Sequence, residues 1–415
     1  MKVDTARHCQ APLHGIRVLA IEQMQALPYG TQMLSRLGAD VVKIEHPDSG
    51  ESGRASLPSM ADPYGRPVGA TFLRNNLGKR SVGVDLKDPR GLDLVLRLAA
   101  HFDIVCENFK PGTADRLGIG YQAVSTINPS VIYLSVSGFG HRATGAYEGW
   151  PAYAPVAEAM GGLYEFKREP DTAPIASPVG SLGDTASSLF AVIGVLAALR
   201  QRDLTGEGQF IDIAMYDSMV ALGDAGVTYW SMGLHQGGRA PLINHAFLAK
   251  DGYFVMQVLR PHQWRKLVAL LEQEHWLLDP DLEKPSDWYK NLETVVRPAV
   301  EAWASTMTKA DAAETLTHAG IAAGPVHTPG EVINDAHLRQ RGMIVEMPRS
   351  DGIDSPILSP GSPVKLSGMK EEASSRIPWL GEHTEEVLRY ELDMTDGELA
   401  SLRDGGVISP AAPQH

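Results

Sequence analysis

The sequence has few of the residues and patterns that mark several large classes of protein. It has only two cysteines in 415 residues, Cys9 and Cys106, which lie far apart and in no metal-binding or redox spacing. This excludes a disulfide framework and favours a reducing compartment. No long stretch of Lys and Arg offsets the formal net charge of −13, so nucleic acid and anionic membranes are not expected as partners. The first 15 residues lack an apolar signal core, and the apolar runs look too short to span a bilayer. We therefore expect a cytoplasmic protein.

Several nucleotide-binding and metal-binding motifs are also missing. There is no Walker loop, which argues against a nucleoside triphosphate enzyme. Gly138-Phe-Gly140 follows a predicted strand as a dinucleotide loop would, but the third glycine is Gly145 and no helix clearly follows. The fourteen histidines show no metal-ligand spacing. We expect no metal and no tightly bound cofactor.

Apolar runs alternate with helical patterns through the first half of the chain, and this alternation predicts an α/β fold with a doubly wound parallel sheet. The predicted strands are 16–21, 39–44, 81–85, 104–106, 131–137 and 209–213, and the predicted helices are 29–37, 89–101 and 188–200.

The composition changes at about residue 222, which predicts a second domain. Residues 1–221 form a large domain, 222–244 a linker, and 245–345 a small α+β domain. Residues 346–368 contain several prolines and are expected to be an extended return linker. Residues 369–415 would complete the large domain.

One carboxylate stands out. Asp184 follows Gly183 just before the apolar run from Ser188 to Leu199, so it should lie at a helix N-terminus, where the exposed amides and the helix dipole would hold it ionised. Such a carboxylate can act as a nucleophile. The alternative is that Asp184 is only a helix cap, a role for which Asp is favoured.

Two other segments offer cations at strand ends. Lys79 and Arg80 follow a glycine and form either a solvated turn or an anion site. The segment 107–118 offers an amide, an aromatic face, two cations and helix-start amides, which together suit an adenine and its phosphates. Its alternative is a Pro-Gly turn capped by Asn108.

A series of motifs runs in order along nearly the whole chain: Gly15–Leu19, Leu34–Pro47, Gly78–Val82, Glu107–Gly112, Asn128–Tyr133, Gly183-Asp184, Thr205–Gln209, Gly320–Val326 and Leu380–Leu388. Together they resemble the class III CoA-transferases, the family that includes formyl-CoA transferase and the carnitine CoA-transferases. The resemblance implies a Rossmann-like large domain, a smaller domain and an interlocked, ring-like homodimer.

The resemblance also implies the site residues. Asp184 matches the nucleophilic aspartate, and Gln25 a glutamine of the same site. Asp184 would attack an acyl-CoA, pass through a mixed anhydride and an aspartyl-CoA thioester, and deliver CoA to a carboxylic acid. The CoA contacts that carry over are Met24, His46, Val84, Asn108, Phe109, Arg116 and Leu117.

Two rival functions stay open. The α-methylacyl-CoA racemases of the same family pair the aspartate with a His-Asp stretch, where this chain has Tyr153 and Ala154, and His141 is displaced in the pattern. Tyr, with a reference pKa of about 10, is a poor substitute for that histidine as a proton carrier. The other rival is a catalytically silent CoA-binding protein that keeps the fold.

The sequence departs from the family in ways that bear on the substrate. Leu27 and Ser188 replace glycines, and Ala154 replaces an acidic residue found in many transferases. The glycine-rich lid loop of the formyl-CoA enzyme has no clear equivalent, although His235–Arg239 contains two glycines. Neither oxalate nor formate is therefore expected. The sequence does not specify the two acids, and succinyl-CoA is a first donor to test.

Overall fold

The computed structural model describes residues 11–141, 146–165, 171–223, 226–233, 242–369 and 376–410. These residues form two compact units. The larger unit contains the described residues up to Val227 and those from Gln340 onward, and the smaller unit contains Thr228–Arg339. The chain thus leaves the larger unit and returns to it.

A parallel sheet forms the centre of the larger unit. The strands in the first part of the chain are β1 (Arg17–Ile21), β2 (Asp40–Glu45), β3 (Ser59–Ala61), β4 (Pro67–Gly69), β5 (Arg80–Gly83), β6 (Ile104–Glu107), β7 (Ile132–Ser137) and β8 (Gln209–Ala214). Six of them pair in parallel in the order β5-β2-β1-β6-β7-β8, while β3 and β4 form an antiparallel pair. The predicted α/β class is confirmed.

The helices of this part of the chain alternate with the strands. They are α1 (Pro28–Arg36), α2 (Ala70–Asn75), α3 (Pro89–Ala99), α4 (Thr113–Leu117), α5 (Tyr121–Ile127), α6 (Ala154–Met160), α7 (Leu182–Thr205), α8 (Met215–Leu222) and α9 (Gly226–Ser231), with a 3₁₀ turn at Ser52–Ala55.

Two apolar clusters cover the two faces of the sheet. On one face Val105 and Tyr133 pack with α3 and α5. On the other face Cys106 and Leu134 pack with the buried side of α7. Because the central strands are buried on both faces, their sequences read as continuous apolar runs, which is why they were predictable.

Helix α7 is longer than the sequence indicated, with 24 residues instead of the predicted 188–200. Within the described ranges it is also the one helix long and apolar enough to cross a membrane. The expectation that no apolar stretch has that length was therefore wrong. Ala191, Val195 and Ala198 of α7 are nevertheless buried against the sheet, as in the core helix of a globular domain.

The smaller unit is built on an antiparallel sheet in the order β11-β10-β9. Its elements are β9 (Ile243–Ala249), β10 (Gly252–Val258), α10 (Pro261–Leu270), α11 (Pro285–Lys290), α12 (Arg297–Ala304), α13 (Lys309–His318), β11 (Ala322–Pro325), α14 (Pro329–Asn334) and α15 (Ala336–Gln340), with 3₁₀ turns at Glu274–Leu278 and Pro280–Leu282 and a π turn at Leu292–Val296. Trp264 stacks between Trp276 and Trp288, with ring centroids 5.5 and 4.7 Å away. These rings fill the core of the unit.

The returning chain is more structured than an extended linker. Strands β12 (Ile344–Met347) and β13 (Ile357–Pro360) form an antiparallel pair, and Met347 is buried beside Phe72. The prolines that suggested a linker, Pro348, Pro356 and Pro360, flank or end these strands, where a missing N–H is tolerated.

Helices α16 (Thr384–Leu392) and α17 (Asp396–Asp404) complete the larger unit. They are followed by Ser409, whose N–H donates to the carbonyl of Gly83 at 3.1 Å. The Thr384 hydroxyl accepts the Gly83 N–H at 3.0 Å. The end of the chain thereby covers the edge strand β5.

Candidate active site

The residues predicted to contact CoA cluster at one edge of the sheet. Each of them follows the carboxyl end of a parallel strand or lies in the helix after it: Met24 and Gln25 after β1, His46 after β2, Val84 after β5, Asn108 and Phe109 after β6, and Arg116 and Leu117 in α4. The strand order reverses between β1 and β6. Open α/β sheets bind ligands in the crevice at such a reversal, so these residues surround the place where the fold favours a ligand.

Asn108 holds the two sides of this crevice together. Its Oδ1 accepts the N–H of Gln23 at 2.9 Å, and its Nδ2 donates to the carbonyl of Gln23 at 2.8 Å. The side chain thus extends the pairing of β1 and β6 by one step beyond the strand ends. Its amide is engaged with the protein, so Asn108 positions the loop that carries Phe109.

Met24 adopts a left-handed backbone conformation with φ of 61°. Its N–H donates to the buried carboxylate of Glu51 at 2.9 Å, and its side chain is 43% exposed. Such a conformation in a residue other than glycine is costly and is found preferentially at ligand sites. Glu51 fixes it at the mouth of the crevice.

The other predicted CoA contacts differ in what they can offer. The Val84 side chain is 1% exposed and its N–H donates to the carbonyl of Glu45, so its side chain and N–H are both committed to the fold. His46 is exposed, and its Nδ1 accepts the N–H groups of Asp48 and Ser49. Arg116 is exposed and donates to the Thr113 hydroxyl at 2.8 Å.

Asp184 lies in the first turn of α7, as the third helical residue after the left-handed Ser181. It is therefore near the helix N-terminus but is not the cap. Gly183 abuts α6 so closely that a Cβ there would lie 3.0 Å from the Ala154 Cα. The small residues at 154 and 183 allow the N-termini of α6 and α7 to meet.

The pKa of Asp184 differs from the prediction, although its charge at pH 7 does not. Burial raises the pKa of Asp184 to about 6; the Ser181 hydroxyl opposes this rise and the Glu158 carboxylate adds to it. The expectation that the helix N-terminus would hold the pKa low was wrong, because burial is the largest influence on this group. A pKa of about 6 leaves the group mostly ionised at pH 7 and more basic than an ordinary aspartate.

Gln25 is brought to the same part of α7 by Ser188. The Ser188 hydroxyl donates to the carbonyl of Ala26 at 2.6 Å and lies 3.4 Å from that of Gln25. Ser188 is one helical turn after Asp184 and shares its face of the helix. The replacement of glycine by Ser188 therefore fastens the loop after β1 to α7.

A buried ionic network under the crevice was not predicted. Lys79 lies 2.6 Å from Glu22, and Lys43 lies 3.4 Å from it. Burial alone would raise the pKa of Glu22, but the two lysines lower it below its ordinary value. Lys79 is thus neither in a solvated turn nor in an open anion site, and its neighbour Arg80 pairs with Asp40.

The same network continues to Glu45. Arg54 donates to both of its carboxylate oxygens at 2.7 Å, and the Ser81 hydroxyl donates at 2.7 Å. Burial opposes ionisation, but Arg54 outweighs it and the pKa of Glu45 falls to about 2. The scattered positions of these residues in the sequence gave no signal of their pairing.

Glu107 has a different environment. Its Oε2 accepts the Phe109 N–H at 2.7 Å, whereas its buried Oε1 has no hydrogen-bond partner among the described residues. Burial raises its pKa to about 7; Ser135 and the Phe109 amide oppose the rise, and Asp115 and Asp212 add to it. Glu107 belongs to a predicted motif, but its burial was not foreseen.

The structure also places the residues of the racemase alternative. Tyr153 is 76% exposed at the start of α6, and Ala154 follows it. The His141 Nε2 lies 2.6 Å from the hydroxyl of Ser135, whose neighbours on β7, Leu134 and Val136, face α7. Ser135 therefore points to the opposite face of the sheet from α7, and His141 is held there. The lid candidate His235–Arg239 lies outside the described residues.

Comparisons with known proteins agree with this geometry. The model of the family described as CoA-transferase family III matches residues 13–384. The chain is 34% identical to the succinyl-CoA–L-malate CoA-transferase beta subunit of Chloroflexus aurantiacus, over 96% of this chain and 98% of that protein. It is 31% identical to the formyl-CoA:oxalate CoA-transferase of Rhodopseudomonas palustris, over 96% of this chain and 97% of that protein.

A solved structure gives the same result. The crystal structure of a CAIB/BAIF family protein from Brucella suis has a TM-score of 0.81 and 31% identity, and the match covers 92% of this chain and 99% of that one. The agreement thus extends over the sheet edge, α7 and the smaller unit alike. The chain belongs to CoA-transferase family III and is a CoA-transferase.

Proposed function

We propose that this enzyme moves CoA from an acyl-CoA to a carboxylic acid with Asp184 as its covalent nucleophile. The observation that carries the proposal is the position of Asp184. It is a carboxylate of raised basicity in the first turn of α7, on a helix fastened by Ser188 to the loop that carries Gln25. A more basic carboxylate is a better nucleophile, and one that is mostly ionised at pH 7 can attack without a separate base.

The reaction then proceeds by exchanges at the donor, aspartyl and acceptor carbonyl carbons in turn. An Asp184 oxygen attacks the donor thioester carbon, the C–S bond breaks, and a mixed anhydride and CoA thiolate form. The thiolate attacks the aspartyl carbonyl carbon of the anhydride. The donor carboxylate departs, and an aspartyl-CoA thioester is formed. The acceptor carboxylate attacks this thioester and releases the thiolate, which then attacks the acceptor carbonyl and frees Asp184. Gln25 lines the site of these steps.

CoA would lie in the crevice between β1 and β6, where ligands bind in this class of sheet. Met24 and Phe109 flank the crevice, and Arg116 supplies a cation on its outer side. His46, Asn108 and Leu117 complete the proposed contacts, with Val84 contributing through its backbone. CoA is in this proposal a substrate, and no other cofactor is invoked.

The donor proposed for a first assay is succinyl-CoA. Succinyl-CoA appears in the name of the relative from Chloroflexus aurantiacus, whereas formyl-CoA and oxalate appear in the name of another at nearly the same identity. Identity alone therefore does not choose between them. Ala154 leaves the approach to Asp184 without an acidic side chain at that position, which suits an anionic acceptor.

We also propose that the enzyme is an interlocked homodimer in the cytoplasm. Leu189, Ile193 and Leu196 form an exposed apolar stripe on α7, 46%, 61% and 39% exposed, which a second copy would cover. The buried, unbridged thiol of Cys106 suits a reducing compartment. Light scattering of the purified protein would give twice the 44.8 kDa chain mass, and a monomer would contradict the dimer.

The test of the proposed chemistry is mass spectrometry after incubation with succinyl-CoA. We expect a CoA or acyl adduct on the peptide that contains Asp184. The variant Asp184→Ala should lose both adduct and transfer while still binding CoA. The matched control Asp203→Ala changes an exposed aspartate at the far end of the same helix and should keep both.

Other outcomes would favour the rivals. No adduct with any acyl-CoA, together with uptake of deuterium at the α-carbon of a branched acyl-CoA in D2O, would favour a racemase. Equal turnover in Asp184→Ala would exclude the aspartyl intermediates. CoA binding without turnover in the unmodified enzyme would indicate a silent CoA-binding protein.

A further inference from the structure

A second carboxylate lies directly behind the first turn of α7. Glu158 of α6 is 2% exposed. Its Oε1 accepts the N–H of Gly183 at 3.0 Å, and its Oε2 accepts the hydroxyl of Tyr164 at 3.0 Å. Each oxygen of the carboxylate therefore accepts a hydrogen bond, one from the backbone of α7 and one from Tyr164.

The contact with Gly183 places Glu158 one residue from the proposed nucleophile. The close approach of Ala154 and Gly183 keeps the two helix starts together, and the hydrogen bond from the Gly183 N–H holds the carboxylate of Glu158 against the first turn of α7. A buried negative charge here disfavours a second one on Asp184. We propose that Glu158 is a positioning residue, which fixes the first turn of α7 through the Gly183 N–H and places a negative charge behind Asp184. This inference rests on the proposed role of Asp184.

The arrangement has a consequence for the covalent steps. Free Asp184 carries a negative charge beside that of Glu158, whereas acylated Asp184 is neutral. Formation of the anhydride or the CoA thioester therefore removes the repulsion between the two carboxylates. Glu158 thus destabilises free ionised Asp184 relative to the covalent intermediates and favours their accumulation.

Other ionisable groups lie on the elements packed against α7 and α6. They are Tyr29 and Arg36 of α1, Tyr133 of β7, Asp212 of β8, and Tyr216 and Asp217 of α8. Burial is the largest cause of the raised pKa of Asp184, the Ser181 hydroxyl opposes it, and among the charged residues that the structure describes Glu158 is the one that adds to it. The effect on Asp184 can therefore be tested at a single residue.

The decisive variant is Glu158→Gln, which removes the charge and keeps an acceptor for the Gly183 N–H. The acid limb of kcat/KM with succinyl-CoA should move to lower pH. The shift should be on the order of 1 pH unit, the size of change that a neighbouring like charge gives a carboxyl group. The adducted fraction of Asp184 at pH 7 should also fall.

Two further variants separate charge from packing. Glu158→Asp keeps the charge but shortens the reach to Gly183, so kcat should fall while the acid limb stays closer to that of the unmodified enzyme. Glu148→Gln makes the same change at an exposed carboxylate before α6 and should leave the profile in place. An unshifted acid limb in Glu158→Gln would overturn the inference.

A readout that does not require turnover keeps this inference distinct from the proposed function. Carbodiimides react with protonated carboxyl groups, so the pH dependence of labelling on the Asp184 peptide reports its protonation in the resting enzyme. In Glu158→Gln the labelling should decline at lower pH than in the unmodified enzyme. A shift in labelling without any covalent CoA adduct would support the role of Glu158 and contradict Asp184 as the nucleophile. An adduct without a shift would support Asp184 as the nucleophile and contradict the role of Glu158.

Discussion

Four carboxylates near the carboxyl ends of the strands differ in the direction of their pKa shifts. Glu22 and Glu45 each lie against cations, namely Lys79 with Lys43 and Arg54, and their pKa values are lowered. Asp184 and Glu107 have no Lys or Arg in contact among the described residues, and burial raises their pKa values to about 6 and about 7. The basic side chain beside Glu107 is His141, whose Nε2 lies 3.9 Å from Oε1. Burial is common to both groups, so the cationic partner decides the direction.

The difference separates residues that hold the fold from residues available for chemistry. A carboxylate paired with Lys or Arg is held ionised and engaged, and its loss leaves an unpaired buried charge. A buried carboxylate without such a partner costs stability when it ionises, a cost that proteins retain mainly at functional sites. The two groups should therefore respond in opposite directions when their charge is removed.

The largest effect is expected for Lys79→Met, which leaves Glu22 with Lys43 alone. Removing one partner of a buried ion pair typically costs about 3–5 kcal/mol. We expect the free energy of unfolding at pH 7, measured by urea titration, to fall by that amount. Lys87→Met removes an exposed lysine after β5 and should change it by no more than about 0.5 kcal/mol.

A milder change to the same network guards against a variant that does not fold. Thr31→Val removes the hydroxyl that donates to Glu22 at 2.8 Å and leaves both lysines in place. Thr31→Val should lower the free energy of unfolding by about 1 kcal/mol. If Lys79→Met, Lys87→Met and the unmodified protein have the same free energy of unfolding, the network does not support the fold.

Glu107→Gln should act in the opposite direction and stabilise the protein at pH 8. The pKa of Glu107 is about 7 in the folded protein and 4.5 ordinarily, so its favourable contribution is present below pH 4.5 and is lost as the pH rises through 7. Glu107→Gln should raise the free energy of unfolding at pH 8 by at most about 3 kcal/mol and should leave it unchanged near pH 4. Urea titrations at the two pH values measure it.

The matched control is Glu45→Gln. Because the pKa of Glu45 is lowered to about 2, its contribution is present above pH 4.5 and is lost as the pH falls toward 2. Glu45→Gln should therefore destabilise the protein at pH 8. If both glutamine variants shift stability in the same direction at pH 8, the distinction between the two groups of carboxylates is wrong.

The fold was largely predictable because strands buried on both faces leave continuous apolar runs in the sequence. The strands 131–137 and 209–213 were placed to within about a residue of β7 and β8. Helix α7 was predicted too short because Gly183 and the charged residues Arg200, Arg202 and Asp203 end the apolar run. The contact of Gly183 with Ala154, which permits glycine in the first turn, connects positions 29 residues apart.

The site was only partly predictable for a related reason. Strand ends show where a crevice forms, so the position of Asn108 and Phe109 after a strand was enough to single out their segment. Met24 was predicted only from the resemblance to the family. The charge state of a residue depends instead on side chains that are distant in sequence, such as Lys79 for Glu22 or Glu158 for Asp184. No local pattern contains those partners or shows how far the fold buries a carboxylate. Burial is the largest cause at Asp184, which is why the direction of its pKa was predicted wrongly.

The smallest effect on stability, and the sharpest test of the comparison, is expected for Asp184→Asn. A carboxylate in the first turn of a helix ordinarily stabilises it by about 0.3–1 kcal/mol, so its replacement by Asn should destabilise the protein. Here the pKa of Asp184 is raised from 3.8 to about 6, so ionisation costs stability as the pH rises through 6. We therefore expect Asp184→Asn to raise the melting temperature slightly at pH 8, to leave it unchanged near pH 3.5, and to abolish transfer. The gain should be smaller than for Glu107→Gln because Asp184 is only partly buried and water screens its charge. A lower melting temperature of Asp184→Asn at pH 8 would show that the ionised form of Asp184 stabilises α7. Asp184 would then belong with Glu22 and Glu45, whose ionised forms stabilise the fold, and not with carboxylates whose ionisation costs stability.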